Sequence, residues 1–175
     1  AFRSTDYLAL AIDKLAHETN LELISAVLIN AQFALAHYVP PEQRRAQAAR
    51  LYDLCHAQLY ATTDSDLRIV WARALIGAAQ EPDRIAAVLR LADDGTGIDG
   101  FALDQDMRWS LAIKASGYDL PGAADRVTAE LEGDRNDRGA RAAAPVRPSP
   151  ISDCPRRRLI AAVLRGSWLS AYRSR

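Results

Sequence analysis

His17-Glu18 opens like the zinc-protease pattern HExxH, in which two histidines one helical turn apart hold the metal and the glutamate activates water. The second ligand position is Leu21, so the motif fails. The three histidines, His17, His37 and His56, are spaced 20 and 19 residues apart, which makes no local ligand set. They read as surface or helix-end histidines, with His17 and His37 suited to the negative end of a helix dipole. There is no GxSxG elbow and no phosphate-cradling glycine loop. Gly95-Thr96-Gly97 is the nearest approach to such a loop, and it follows a helical pattern rather than a strand, so it reads as turn chemistry. The expectation is a chain without catalytic, cofactor-binding or metal-ligating residues.

Two charged clusters remain. Asp104-Gln105-Asp106-Met107-Arg108-Trp109 could place Arg108 against an anion or a peptide carboxylate. The plainer reading makes Asp104 a helix cap, Asp106 a dipole partner and Arg108 with Trp109 a packed edge. In Trp71-Ala72-Arg73-Ala74 the Trp is a core residue and Arg73 a solvated or ion-paired neighbour. Charge is unevenly shared: residues 1–140 hold 14 basic and 21 acidic side chains, and residues 141–175 hold 8 Arg against the single acid Asp153. Arg156-Arg157-Arg158, Arg165, Arg173 and Arg175, with Trp168 and Tyr172 among them, would be the phosphate contacts of a nucleic-acid binder. A solvated terminus is the favoured reading, so no nucleic-acid partner is expected.

The elements that must position these residues follow a helical period, and no stretch alternates like a strand. A first helix is predicted over Thr5–His17, with Tyr7, Leu8, Ala11, Ile12 and Leu15 on one face. Asn20 caps a second, whose stripe is Ile24, Val27, Leu28, Ala31, Ala34, Leu35 and Tyr38. Pro40-Pro41 separates it from a third, Glu42–Tyr60, which buries Ala48, Leu51, Tyr52, Cys55 and Leu59. Thr62–Ser65 turns into a fourth carrying Leu67, Val70, Trp71, Ala74, Leu75 and Ala78. Glu81-Pro82-Asp83 starts a fifth with Ile85, Val88, Leu89 and Ala92.

After the turn-rich residues 93–100, Asp104 caps a sixth helix through Met107, Leu111 and Ala115, ended by a left-handed Gly117. Pro121 opens a seventh with Ala124, Val127 and Leu131 inward. A short helix at Ala140–Ala144 and a last amphipathic one over Leu159–Tyr172 complete the set. Helices with one apolar stripe each must stack to hide it, which predicts an all-α array of antiparallel helical hairpins with degenerate repeats, or an irregular bundle. The expected organisation is a helical array over 1–144 and a Pro/Arg-rich segment over 145–175.

At 175 residues, 49% hydrophobic and 25% charged, the chain has the balance of a folded domain rather than a disordered one. No apolar run is long enough to cross a bilayer. The first residues lack the pattern of a signal peptide. Cys55 and Cys154 have no CxxC spacing and are expected as free thiols in a reducing cytoplasm.

Five segments, in order and at similar spacing, resemble a known family. They are Ser4-x-x-Tyr7, Glu18-Thr19-Asn20, Asn30-Ala31-Gln32-x-Ala34-Leu35-x-x-Tyr38-Val39, Arg68-x-x-Trp71-Ala72-Arg73-Ala74 and Leu103-Asp104-Gln105-Asp106-Met107-Arg108-Trp109. Together they resemble, over roughly residues 4–144, the C-terminal helical domain of actinobacterial aminopeptidase N. The resemblance implies a parent zinc metallo-aminopeptidase whose HExxH motif lies in a separate catalytic domain. That domain would be this chain's partner, zinc would be expected only there, and peptide substrate would be met indirectly. The resemblance further implies a HEAT/ARM-like array that covers the active-site cavity and restricts access to it. By itself the chain would be inactive. Past Ala144 the family pattern would continue with amphipathic helices, and here the chain turns Pro- and Arg-rich. The alternative is an independent helical-repeat module that binds a protein or peptide. A fragment of an array would also expose a stripe meant for its neighbour, which predicts self-association.

Overall fold

The computed structural model describes residues 3–134 and Gly139. Among them are seven helices and no strand: α1 (Ser4–Leu15), α2 (Leu21–His37), α3 (Pro41–Ala61), α4 (Ser65–Ala78), α5 (Pro82–Asp93), α6 (Gln105–Gly117) and α7 (Ala123–Gly133). The protein is all-α, as the periodicity predicts. The expected helices at Ala140–Ala144 and Leu159–Tyr172, the 144/145 boundary and Cys154 lie outside the described residues. None of the described helices is long and apolar enough to cross a membrane.

The backbone falls into two compact units that divide after Leu103. In the first, α1 packs on α2 and α3 on α4, while α1 also meets α3 and α2 meets α4. Two helical hairpins are thus stacked on each other, and α5 adds to α4. The core between them contains Leu8, Leu15, Ile24, Leu35, Leu51, Leu59, Trp71, Leu75 and Ile85, each at most 2% exposed. Burying a side chain of this size is worth about 1.5–3 kcal/mol, which is what fixes the stacking.

Local chemistry sets the helix ends. Asn20 Oδ1 accepts from the Leu23 amide at 3.0 Å, and Asp64 Oδ1 from the amides of Asp66 and Leu67 at 2.8 and 2.9 Å. Pro41 occupies the first turn of α3, where its missing donor costs nothing. The first helix stops at Leu15, two residues short of the expected His17, because the following turn is tied by Glu18 instead. Glu18 Oε1 accepts from the amides of Thr19 and Asn20 at 2.8 and 2.9 Å. Tyr38, expected inward, is 66% exposed, since α2 ends at His37 and Val39 fills the core in its place at 2% exposure.

In the second unit α6 packs on α7. Gly117 does not take the left-handed conformation expected of it. Asp119 does, at φ 52°, and the Asp119 and Leu120 amides donate back to Ser116 and Ala115 carbonyls at 3.1 and 3.0 Å. This pair of bonds is a Schellman ending with an aspartate at the position glycine usually holds. Pro121 likewise does not open α7. Leu120-Pro121-Gly122-Ala123 forms a turn closed by the Ala123 amide on the Leu120 carbonyl at 3.2 Å, with Gly122 at φ 74°. Those are the residues a type II turn demands. The extra turn rotates α7, so Ala123 and Val127 are buried and Ala124, expected inward, is exposed. Leu131 packs with Val127 against Trp109 and Ala112 as expected.

Candidate interaction surface

The structure separates the residues that could have done chemistry. His17 lies exposed in the turn after α1. Glu18, the would-be general base, is spent on two backbone amides, and those bonds hold its carboxyl below the usual range. Leu21 stands where a second zinc ligand would be needed. His37 is exposed at the end of α2, with its ring 4.4 Å from that of Phe33. His56 is exposed along α3 between Tyr52 and Tyr60, at 6.2 and 5.0 Å. Among the described residues no three His, Cys, Asp or Glu side chains stand close enough to hold a metal ion. Cys55 is free and buried, and burial pushes its thiol up, away from the reactive thiolate.

Gly95-Thr96-Gly97 is a stitched turn. Both glycines have positive φ, at 85° and 68°. The Thr96 hydroxyl donates to the Phe101 carbonyl at 2.8 Å and accepts from the Ile98 amide at 3.3 Å. The Tyr60 hydroxyl reaches from α3 to the Thr96 carbonyl at 3.0 Å. The Ile98 amide, used inside the loop, is turned away from any outside anion.

The Asp104–Trp109 cluster is structural in the same way. Asp104 Oδ1 caps α6 through the Met107 amide at 2.8 Å. Arg108 is engaged by Glu130 of α7 at 3.3 Å and by Gln105, and Gln105 donates to the same Glu130 carboxylate at 2.7 Å. The buried Trp109 indole N–H donates to Asp134 Oδ2 at 2.9 Å. An arginine held this way is a clasp between two helices, with its charge already matched. Trp71 is buried in the first unit and Arg73 is exposed, as expected.

What the first unit leaves open is one apolar face of α2. Ile29 and Phe33 are 66% and 52% exposed, and Leu21 is 37% exposed. Beside them a groove of about 540 Å³ runs between α2 and α4, floored by Ala26, Ile29, Ile69 and Val70 and edged by Glu22 and Asp66. The sequence reading missed this face because it followed the stripe through Ile24, Leu28, Leu35 and their neighbours. The available signal was that α2 is apolar nearly all the way round, which marks a helix with a second face to cover.

Comparison with known proteins points one way. No protein-family profile matches the chain. Aminopeptidase N of Streptomyces lividans is 29% identical to it over 143 residues, covering 81% of this chain and 17% of that protein. The chain thus spans about one sixth (17%) of the length of the curated relative it matches. The similarity supports a relation to a part of such an enzyme.

Two polar residues of the segments quoted above, Ser4 and Gln32, fasten helices. Ser4 Oγ donates to the Tyr38 carbonyl at 3.0 Å, joining the start of α1 to the end of α2. Gln32 Nε2 donates to the Ala74 carbonyl of α4 at 3.4 Å, and beside it Gly77 leaves the space that the Gln32 amide fills.

Proposed function

We propose that this chain is a non-catalytic helical part of an aminopeptidase N-like zinc enzyme, serving as wall and lid over a catalytic domain that it does not itself contain. The observation that carries this reading is the 29% identity over 143 residues to aminopeptidase N. The hydrogen bonds of Ser4, Gln32, Asn20 and Asp104 are consistent with it, because they cap helices or fasten one to another and take no part in chemistry. On this reading the stacked hairpins are a short HEAT/ARM-like run. Its work is steric: a rigid helical layer limits which peptides reach the hydrolytic centre and keeps folded proteins out. Zinc and the general base belong to the catalytic domain, which is the chain's partner, and the setting is cytoplasmic.

A chimera tests the proposal. The aligned segment of the Streptomyces lividans enzyme is replaced by this chain's residues, and hydrolysis of an aminoacyl reporter is compared with that of long polypeptides. Retained reporter hydrolysis with continued exclusion of long substrates is expected. A chimera that keeps its helical circular dichroism yet loses that size discrimination would overturn the proposal.

The second reading, an independent module that binds a protein or peptide, is favoured by the open α2 face with Ile29 and Phe33. It predicts a function that survives without any catalytic domain.

A further inference from the structure

We propose that the open face of α2 is a self-complementary surface on which a second copy of this chain docks, with the two α2 helices antiparallel. Glu22, Ala26, Ile29, Phe33 and His37 recur at three- and four-residue steps and are all exposed, so they form one stripe along α2. That spacing is the seam of a helix pair. Placing a two-fold axis beside Ile29 and Asn30 sets the outer four residues of the stripe against fitting mates and brings the two copies of Ile29 together at the axis. Phe33, the largest side chain of the stripe, then faces Ala26 of the second copy, the smallest. It enters the groove that Ala26, Ile69 and Val70 already form. Glu22, which has no ion-pair partner among the described residues, faces His37 of the second copy. Both matches occur twice, as an isologous contact requires.

Phe33 is held for this role. Its ring lies 4.4 Å from that of His37 and 5.8 Å from that of Tyr38, so little side-chain freedom remains to be lost on docking. The occupant is fixed by this pairing of large with small and acid with imidazole along one helix, read in reverse order on the other. The inference stands apart from the aminopeptidase reading and does not depend on it.

The test uses the full chain carrying Cys154→Ser, which leaves Cys55, buried in the core, as its thiol. Sedimentation velocity should show a dimer that Phe33→Glu weakens by roughly thirtyfold or more, with unchanged helical circular dichroism. A short bis-maleimide linker should join two copies of Asn30→Cys, which lies beside the axis. It should not join two copies of Glu22→Cys, which the antiparallel register holds far apart along helices about 25 Å long. A monomer at high concentration, a dimer indifferent to Phe33→Glu, or equal linking at both positions would overturn the inference.

Discussion

The Ser4 hydroxyl donates to the carbonyl of Tyr38 at 3.0 Å, across 34 residues of sequence. It ties the first turn of α1 to the carbonyl that α2 leaves open as it ends. Gln32 does the same between α2 and α4. Such bonds give polar residues of these apolar helices a structural part. Ser4→Ala should cost about 0.5–1.5 kcal/mol, the worth of one intramolecular hydrogen bond, read as a shift of the urea midpoint without a change in slope.

Trp109 and Asp134 form a buried polar contact in the second unit. Trp109→Phe should destabilise it by about 1–3 kcal/mol, because the Asp134 carboxylate would stay buried without its indole donor. Adding Asp134→Ala should recover part of that loss. Equal stabilities for Trp109→Phe and the parent chain in chemical denaturation would contradict the assignment.

Asp119 takes the left-handed conformation where glycine would be unstrained. Asp119→Gly should therefore raise stability slightly, by up to about 1 kcal/mol, although glycine's greater freedom when unfolded offsets some of the relief. A lower melting temperature for Asp119→Gly would show that its side chain contributes more than its backbone costs.

Lys114 is buried on α6, and burial lowers its pKa to about 8. An unfolded lysine titrates near about 10.4, so between pH 8 and that value the unfolded state holds more protons. The Lys114 contribution to stability therefore rises with pH across that window, and below it the cost of the buried charge is fully present. The buried Cys55 thiol has the opposite sign: above about pH 8.5 an unfolded cysteine loses a proton that the folded one keeps. Lys114→Met separates the two. Its stability relative to the parent should fall as pH rises from about 8 towards about 10, because only the parent gains from deprotonation of the buried amine. A difference constant over that range would refute the lysine's part.

The fold was largely legible because each helix announces its ends and its stripe. Asn20, Asp64, Asp104 and Pro41 act as their types and positions predict, and the buried faces of α3 and α6 follow the periodicity. The fourth helix buries Trp71, Ala74, Leu75 and Ala78 as expected, while Leu67 and Val70 stay partly exposed. The misses share one cause, which is that tertiary geometry chose between neighbouring residues. Asp119 rather than Gly117 reverses the chain, the Pro121-Gly122 turn exchanges Ala124 for Ala123, and Val39 displaces Tyr38. The open α2 face was hidden for a related reason. Ala26, Ile29 and Phe33 carry no charge pattern to mark them as exterior, and only the packing of α1, α3 and α4 shows which side of α2 remains uncovered.

Zinc binding by the isolated chain tests most directly the claim that its part is architectural. After incubation with zinc and removal of excess, the account predicts far less than one metal ion per chain and no turnover of an aminoacyl reporter above the blank. One tightly held zinc per chain through His17, His37 or His56, accompanied by turnover, would contradict it.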